Sequence, residues 1–162
     1  MPVTPTSDLA VAASALRTMI AATAAFRSWT GTVDQPSAEA RVDLAETGVT
    51  GIAILPRARI EYGDDQQSRS VAAGFGGLSS GTLRLVYYAA YVAATSIEDQ
   101  IIALLNNGGA VNQELLDATG GLLLREINRD GEVTLPDMRD SDAGLVVRAA
   151  FRVGYGLDGV TG

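Results

Sequence analysis

Thr82-Leu-Arg-Leu-Val-Tyr-Tyr-Ala-Ala-Tyr-Val92 predicts the central strand of a β-sheet. Successive residues of a strand point to opposite faces of the sheet, and most positions on both faces are apolar in this segment. A strand of this kind is expected to be covered on both sides, as the middle strand of a sheet is. One face would carry Leu83, Leu85, Tyr87, Ala89 and Tyr91, and the other Val86, Tyr88 and Val92.

Two flanking segments alternate between apolar and charged residues, which is typical of half-buried strands. In residues 51–63, Arg57, Arg59 and Glu61 fall on the face opposite Ile52, Ile54, Ala58, Ile60 and Tyr62. Pro56 cannot donate a ladder hydrogen bond, so we expect this strand to lie at an edge or to bend there. In residues 145–155, Arg148 and Arg152 fall on the face opposite Leu145, Val147, Ala149, Phe151, Val153 and Tyr155.

Apolar residues at helical spacing predict two principal helices. The first covers about residues 7–30, is capped by Thr6 or Ser7 and stops at Gly31. The second covers about residues 97–106 and opens at Ser96-Ile-Glu-Asp99, which is close to a capping box. We expect Asn106-Asn-Gly-Gly109 to end it, because glycine commonly follows the last turn of a helix.

The order of helix, strands, helix and strands predicts an α+β fold in which residues 1–162 form one domain. We expect a mainly antiparallel sheet with both principal helices packed on one side. Strands are predicted at about residues 40–62, 82–92 and 122–156, the last range containing the turn Asn128-Arg-Asp-Gly131. Residues 63–81, rich in Asp, Gln, Ser and Gly, predict a long loop or hairpin extension.

The composition removes most of the side chains that catalyse reactions. The chain has no histidine, cysteine or lysine, so it lacks the usual acid–base group, the thiolate and the Schiff-base amine. We therefore expect a protein that is not an enzyme and that has no catalytic residues, no cofactor and no metal ion.

Two alternatives to this expectation use carboxylates. Residues 126–137, beginning Glu126-Ile-Asn-Arg-Asp-Gly131, approximate a calcium-binding loop, although the first and last ligands differ from the usual ones. A carboxylate-based hydrolase would need two carboxyl groups facing one cleft. The candidates for that pair are Asp64, Asp65, Asp137, Asp140 and Asp142.

The charge and hydropathy of the chain bear on its partners and location. The formal net charge is −7 and the 12 arginines are scattered singly, which disfavours a tight grip on nucleic acid. The first residues lack the basic and apolar regions of a signal peptide, and the longest apolar run, residues 85–94, is about half a membrane span. We expect a cytoplasmic or virion-borne protein that does not bind membranes.

Five segments in a fixed order carry a resemblance to a known family. They are Phe26-Arg-Ser-Trp-Thr-Gly31, Tyr62-Gly63 with the long loop after it, the strand from Gly81 to Val92, the helix start Ser96-Ile-Glu-Asp99, and Phe151-Arg-Val-Gly-Tyr-Gly156. This order resembles that of the tail terminator proteins, and the closely related neck proteins, of tailed bacteriophages. The resemblance covers about residues 10–156.

The resemblance implies a structural virion protein that forms a ring, commonly a hexamer. Such a ring caps the tail tube, ends its polymerisation and joins it to the head connector, so the implied partners are other copies, the tail tube protein and the connector protein. DNA would pass through without specific binding, and assembly would take place in the host cytoplasm. Another head–tail joining or interaction module is the alternative. The candidate interface residues are Arg57, Arg59, Glu61, Arg69 and Phe75.

Overall fold

A β-sheet with helices on one face makes up the described part of the chain. The computed structural model describes residues 8–44, 55–62, 80–92, 95–118, 123–129 and 146–156. The elements, in chain order, are α1 (Asp8–Ala22), α2 (Ala24–Thr30), α3 (Gln35–Glu39), β1 (Val42–Leu44), β2 (Arg57–Tyr62), β3 (Ser80–Ala90), α4 (Ile97–Asp117), β4 (Leu123–Arg129) and β5 (Val146–Gly156). None of the described helices combines the length and the hydrophobicity needed to cross a membrane.

The five strands follow the order β1-β2-β3-β5-β4 across the sheet. The β1–β2 pair is parallel, whereas the β2–β3, β3–β5 and β5–β4 pairs are antiparallel. β3 is therefore the middle strand, and its ladder with β5 extends over the full length of both. The α+β class and the mainly antiparallel sheet, both predicted from sequence, are confirmed.

The hydrophobic core lies between the sheet and the helices. β3 contributes Leu83, Leu85 and Tyr87, which are almost completely buried. Burying a large apolar side chain stabilises a fold by about 1.5–3 kcal/mol, so this layer holds the helices on the sheet. The core residues from the principal helices are Ala12, Ala13, Leu16, Met19 and Ile20 of α1 and Leu104, Val111 and Leu115 of α4. Both principal helices thus pack on the same face.

The N-terminal helix is broken at Thr23, so the prediction of one helix over residues 7–30 is wrong. Thr23 has extended backbone angles, and its Oγ1 accepts a hydrogen bond from the Phe26 N–H at 3.1 Å. The N–H groups of Ala24 and Ala25 donate to the two carboxylate oxygens of Glu114 on α4, at 3.0 and 2.7 Å. These partners satisfy N–H groups that the start of α2 leaves free. The predicted stop at Gly31 is confirmed, and that residue has a φ of 73°.

The second principal helix does not end at Asn106-Asn-Gly-Gly109 as predicted, because α4 continues to Asp117. Gly108 is buried against β3, where an added Cβ would lie 2.8 Å from Cδ2 of Tyr87. One turn later, Asn112 Oδ1 accepts a hydrogen bond of 2.7 Å from the Tyr87 hydroxyl. Gly108 therefore allows the aromatic ring to touch the helix backbone, and the glycine marks close packing instead of a helix end.

The strand boundaries differ from those predicted. β2 begins directly after Pro56 and lies between β1 and β3, so the expectation of an edge strand is wrong. Ser80 already belongs to β3, and the rest of the predicted loop or hairpin extension, residues 63–79, lies outside the described residues. Asn128 and Arg129 of the predicted turn lie in β4, while the two positions after them fall outside the described residues.

Candidate functional site

The face of the sheet opposite the helices is called the open face. Residues on it alternate along each strand with residues of the core, and the pairing of the strands places them side by side. Arginines and carboxylates dominate this face. Its charged members are Asp43 on β1, Arg57, Arg59 and Glu61 on β2, Arg84 on β3, Arg148 and Arg152 on β5, and Glu126 on β4.

A bidentate ion pair closes the β1 end of the open face. Arg57 donates from Nε to Asp43 Oδ2 at 2.7 Å and from Nη2 to Oδ1 at 2.5 Å. Only 11% of the Arg57 side chain and 14% of the Asp43 side chain are exposed. Arg57 Nη2 also donates to the Ala40 carbonyl oxygen, at 3.3 Å. Two parallel hydrogen bonds fix both orientation and distance, so this pair is a rigid part of the face.

Glu61 lies between two arginines at the middle of the open face. Its Oε1 accepts a hydrogen bond of 2.8 Å from Arg84 Nη1, and its Oε2 lies 3.6 Å from Arg59 Nε. Arg59 Nε is itself buried and has no hydrogen-bond partner. The Arg84 side chain is 43% exposed. The pairing in this part of the face is therefore looser and wetter than at Arg57.

Like charges meet on the β3–β5 ladder. Arg84 is paired directly with Arg152, and Tyr88 is paired with Arg148. Like charges placed directly opposite each other destabilise a sheet, so Arg152 is a place where an external carboxylate would be favourable. On the next strand, Asn128 is the register partner of Arg152 and donates to Glu126 Oε2 at 3.2 Å.

An apolar residue occupies the centre of this charged surface. Val86 of β3 is only 2% exposed, although it points away from the helices. Its register partners are Arg59 on β2 and Ala150 on β5. The prediction that β3 is covered on both faces is correct at this position.

The open face gathers residues that are far apart in sequence. It holds five of the 12 arginines and three carboxylates, which leave a formal charge of +2 on a chain whose net charge is −7. The arginines are scattered singly in the sequence, and the inference that they therefore form no patch is wrong. Strand pairing brings them together.

Three of the five predicted interface residues lie on the open face: Arg57, Arg59 and Glu61. Their role at an interface stays a prediction. The other two, Arg69 and Phe75, lie outside the described residues. Sequence reasoning did not assign Asp43, Arg84, Glu126, Arg148 or Arg152 to the site. Their shared signal is a charged residue at every second position of a strand pattern, which would have found most of them.

The predicted carboxylate sites do not come together in the described part of the chain. Within that part, no three acidic residues are grouped as a metal ion would require. Of the calcium-loop candidate at residues 126–137, Glu126 and Asn128 lie in β4, and the positions after Arg129 fall outside the described residues. The aspartates considered for a hydrolase also fall outside them.

A cleft of about 560 Å³ lies between α1 and α4. Its size would suit a small ligand. Glu114 is the charged residue among those that line it, and both of its carboxylate oxygens already bond to the start of α2. The cleft therefore offers no uncommitted charge to a ligand, and the open face is the stronger candidate site. The other lining residues are Ala15, Thr18, Met19, Ala22, Thr23 and Ala118.

Similarity to known proteins adds no assignment to this geometry. No family model, curated protein or solved structure matches the chain.

Proposed function

We propose that this chain is a structural ring subunit of a phage tail or a phage-derived particle. The ring caps the tail tube, ends its polymerisation and joins it to the head connector, as the resemblance to tail terminators implies. The observation that carries the proposal is the open face, a flat and partly exposed surface built on five rigid strands. Arginine is enriched at protein–protein interfaces, and a rigid surface loses little entropy when it docks.

The carboxylates of the open face are better suited to docking than to turnover. Asp43 accepts two hydrogen bonds from Arg57, and Glu61 accepts one from Arg84. A carboxylate held by a guanidinium group is poorly placed to exchange a proton with a substrate. The same ion pairs hold the arginine side chains in fixed positions, which favours a specific protein partner.

The charge of the open face bears on its place in the ring. A surface with a formal charge of +2 that lined the central channel would attract the phosphates of passing DNA. Free passage of the genome is therefore favoured if the open face lies against protein and carboxylates line the channel. The partners in this proposal are other copies of the chain, the tail tube protein and the connector protein.

Mass measurement and electron microscopy together test the proposed function. Light scattering during gel filtration of the purified chain, over a wide range of concentrations, measures self-association. Negative-stain images of the chain alone and mixed with tail tubes show whether rings form and where they lie. We expect rings in solution or at tube ends only. An unrelated acidic protein of similar size is the control and should leave tube ends bare. A chain that stays monomeric and never decorates a tube end would refute the proposal.

A further inference from the structure

We infer that the open face of one copy docks on the outer face of α4 of the next copy, in a head-to-tail arrangement. This inference rests on the proposed ring and names the two surfaces that build it. The outer face of α4 is defined as its solvent-exposed stripe. That stripe consists of Glu98, Asp99, Ile102, Ala103, Asn106, Gly109, Ala110, Gln113, Leu116 and Asp117.

Charge is the first argument for this pairing. α4 has 21 residues, four of them acidic, and contains no arginine, so its formal charge is −4. The acidic residues lie near its two ends, Glu98 and Asp99 at the start and Glu114 and Asp117 at the finish. Three of these four are exposed, while Glu114 bonds to the start of α2. The open face carries a formal charge of +2, and complementary charges steer two surfaces into register.

Shape and hydrophobicity are the second argument. Ile102 is 54% exposed and Leu116 is 38% exposed, although both lie on a helix whose opposite side packs in the core. Between them, Ala103, Gly109 and Ala110 keep the surface low, and an added Cβ at Gly109 would meet nothing within 4 Å. Arginine side chains could lie along such a surface, because their aliphatic stems cover apolar groups while the guanidinium reaches a carboxylate.

Geometry is the third argument. The helices cover one face of the sheet and the arginines occupy the other, so the two surfaces lie on opposite sides of a two-layer molecule. A contact between different surfaces of identical subunits is heterologous, and it repeats from copy to copy until a ring closes. A contact between two open faces would instead bring ten arginines against six carboxylates, with arginine facing arginine.

Charge reversal tests the pairing directly. Arg152→Glu alters the open face, and the pair Glu98→Arg with Asp117→Arg alters the outer face of α4. Each change alone should weaken self-association, measured by sedimentation velocity, by about tenfold or more, as expected for lost close charge pairs. The protein with all three substitutions should return to within about threefold of the natural chain, because each reversed surface then faces a reversed partner. An equal mixture of the two singly altered surfaces should also recover rings, built from alternating copies.

Two control variants carry the same charge changes elsewhere. Arg129→Glu lies on the edge strand β4 and pairs with Phe151 on the helix side, and Ser28→Arg lies exposed on α2. Both should leave self-association unchanged. Thermal melting of every variant confirms that it folds. If Arg152→Glu fails to fold, Arg84→Gln removes a positive charge from the same ladder position and replaces it.

The outcomes separate the pairing from the proposed function. If rings form and neither reversal weakens them, or if the combined protein does not recover, the pairing is wrong while the ring stands. If reversal on the open face leaves ring mass intact but abolishes tube capping, that face binds the tube protein and the pairing is again wrong. If the natural chain neither associates nor caps tubes, both proposals fall.

Discussion

On the helix side of β3, Leu83, Leu85 and Tyr87 are almost fully buried, whereas on the open face the same strand presents Arg84 with 43% of its side chain exposed. The helix side is held by dispersion and hydrophobic burial, and its aromatic rings meet edge to face. Tyr87 contacts Trp29 and Phe151 in this way, with ring centroids 5.8 and 5.7 Å apart. The open face is held mainly by ion pairs that reach the solvent.

This difference separates folding from recognition within the same strands. Substitutions on the helix side remove packing that the fold depends on. Substitutions among exposed ion pairs cost little stability, because water and salt already screen those charges. The open face can therefore be specialised for a partner with little effect on the fold, and stability measurements on matched positions can test this.

The largest expected contrast is between two neighbours on β3. Leu85→Ala removes a fully buried side chain and should lower the free energy of unfolding by about 2–5 kcal/mol. Arg84→Ala removes a half-exposed ion pair with Glu61 and should lower it by about 0–1 kcal/mol. Urea denaturation of both variants measures the gap. Equal losses would show that the open face also carries the fold.

The open face should itself be uneven, with its rigid part at Arg57. Asp43→Ala leaves the largely buried Arg57 guanidinium without its carboxylate and should destabilise the protein by about 3 kcal/mol. Glu61→Gln is the control, because its neighbours Arg59 and Arg84 are more exposed, and it should cost about 1 kcal/mol or less. Denaturant titration of the two variants decides. A small loss for Asp43→Ala would mean that water replaces the missing carboxylate.

Two adjacent glycines of α4 sharpen the comparison on the helix side. Gly108→Ala would push a Cβ to 2.8 Å from the buried Tyr87 ring, whereas Gly109→Ala faces open space. Alanine favours a helix over glycine by about 1 kcal/mol at either site, so Gly109→Ala should stabilise. Gly108→Ala should be about 2 kcal/mol less stable than Gly109→Ala, because overpacking outweighs that gain. Thermal denaturation of both variants measures the difference, and equal stabilities would place α4 farther from β3.

The smallest expected effect concerns the one side-chain hydrogen bond between β3 and α4. Tyr87→Phe leaves the buried Asn112 Oδ1 without its donor and should cost about 1–2 kcal/mol at neutral pH. Tyr91→Phe is the control, because its hydroxyl makes no hydrogen bond within the described residues, and it should change stability by less than about 0.5 kcal/mol.

Alkaline pH tests the same contact with a known sign. Burial raises the pKa of the Tyr87 hydroxyl well above its usual range, so the folded protein keeps it neutral. The unfolded chain ionises it near pH 10, and its contribution to stability is lost as pH rises above that value. Unfolding free energy measured from pH 8 to 11 should therefore fall more steeply for the natural chain than for Tyr87→Phe. Parallel slopes would contradict the burial of this hydroxyl.

Alternation in the sequence predicted the sheet well. Leu83, Leu85 and Tyr87 share one face of a central strand, and Arg57, Arg59 and Glu61 lie opposite Ala58 and Ile60, as the pattern indicated. A period of two is local, because it follows from the pleat of a single strand. It assigns a residue to a face without any knowledge of neighbouring strands.

The helix ends were harder to predict, because glycine has two uses. At Gly31 it adopts a φ of 73° and ends α2, as expected. At Gly108 it lies inside α4, where the ring of Tyr87 needs the space of a missing side chain. The two cases look alike in sequence, since only the position of β3 distinguishes them. The break at Thr23 also depends on a distant residue, because Glu114 of α4 bonds to the first N–H groups of α2.

The sequence by itself determined the α+β class, the central strand and the chemistry that is missing from the chain, because composition and periodicity are properties of short segments. Tertiary structure alone decided that arginines from β2, β3 and β5 share one face with Asp43 and Glu126. Strand order and register set those neighbours, and both depend on the packing of the whole sheet against its helices. The candidate site is therefore a product of pairing between strands that are up to about 100 residues apart.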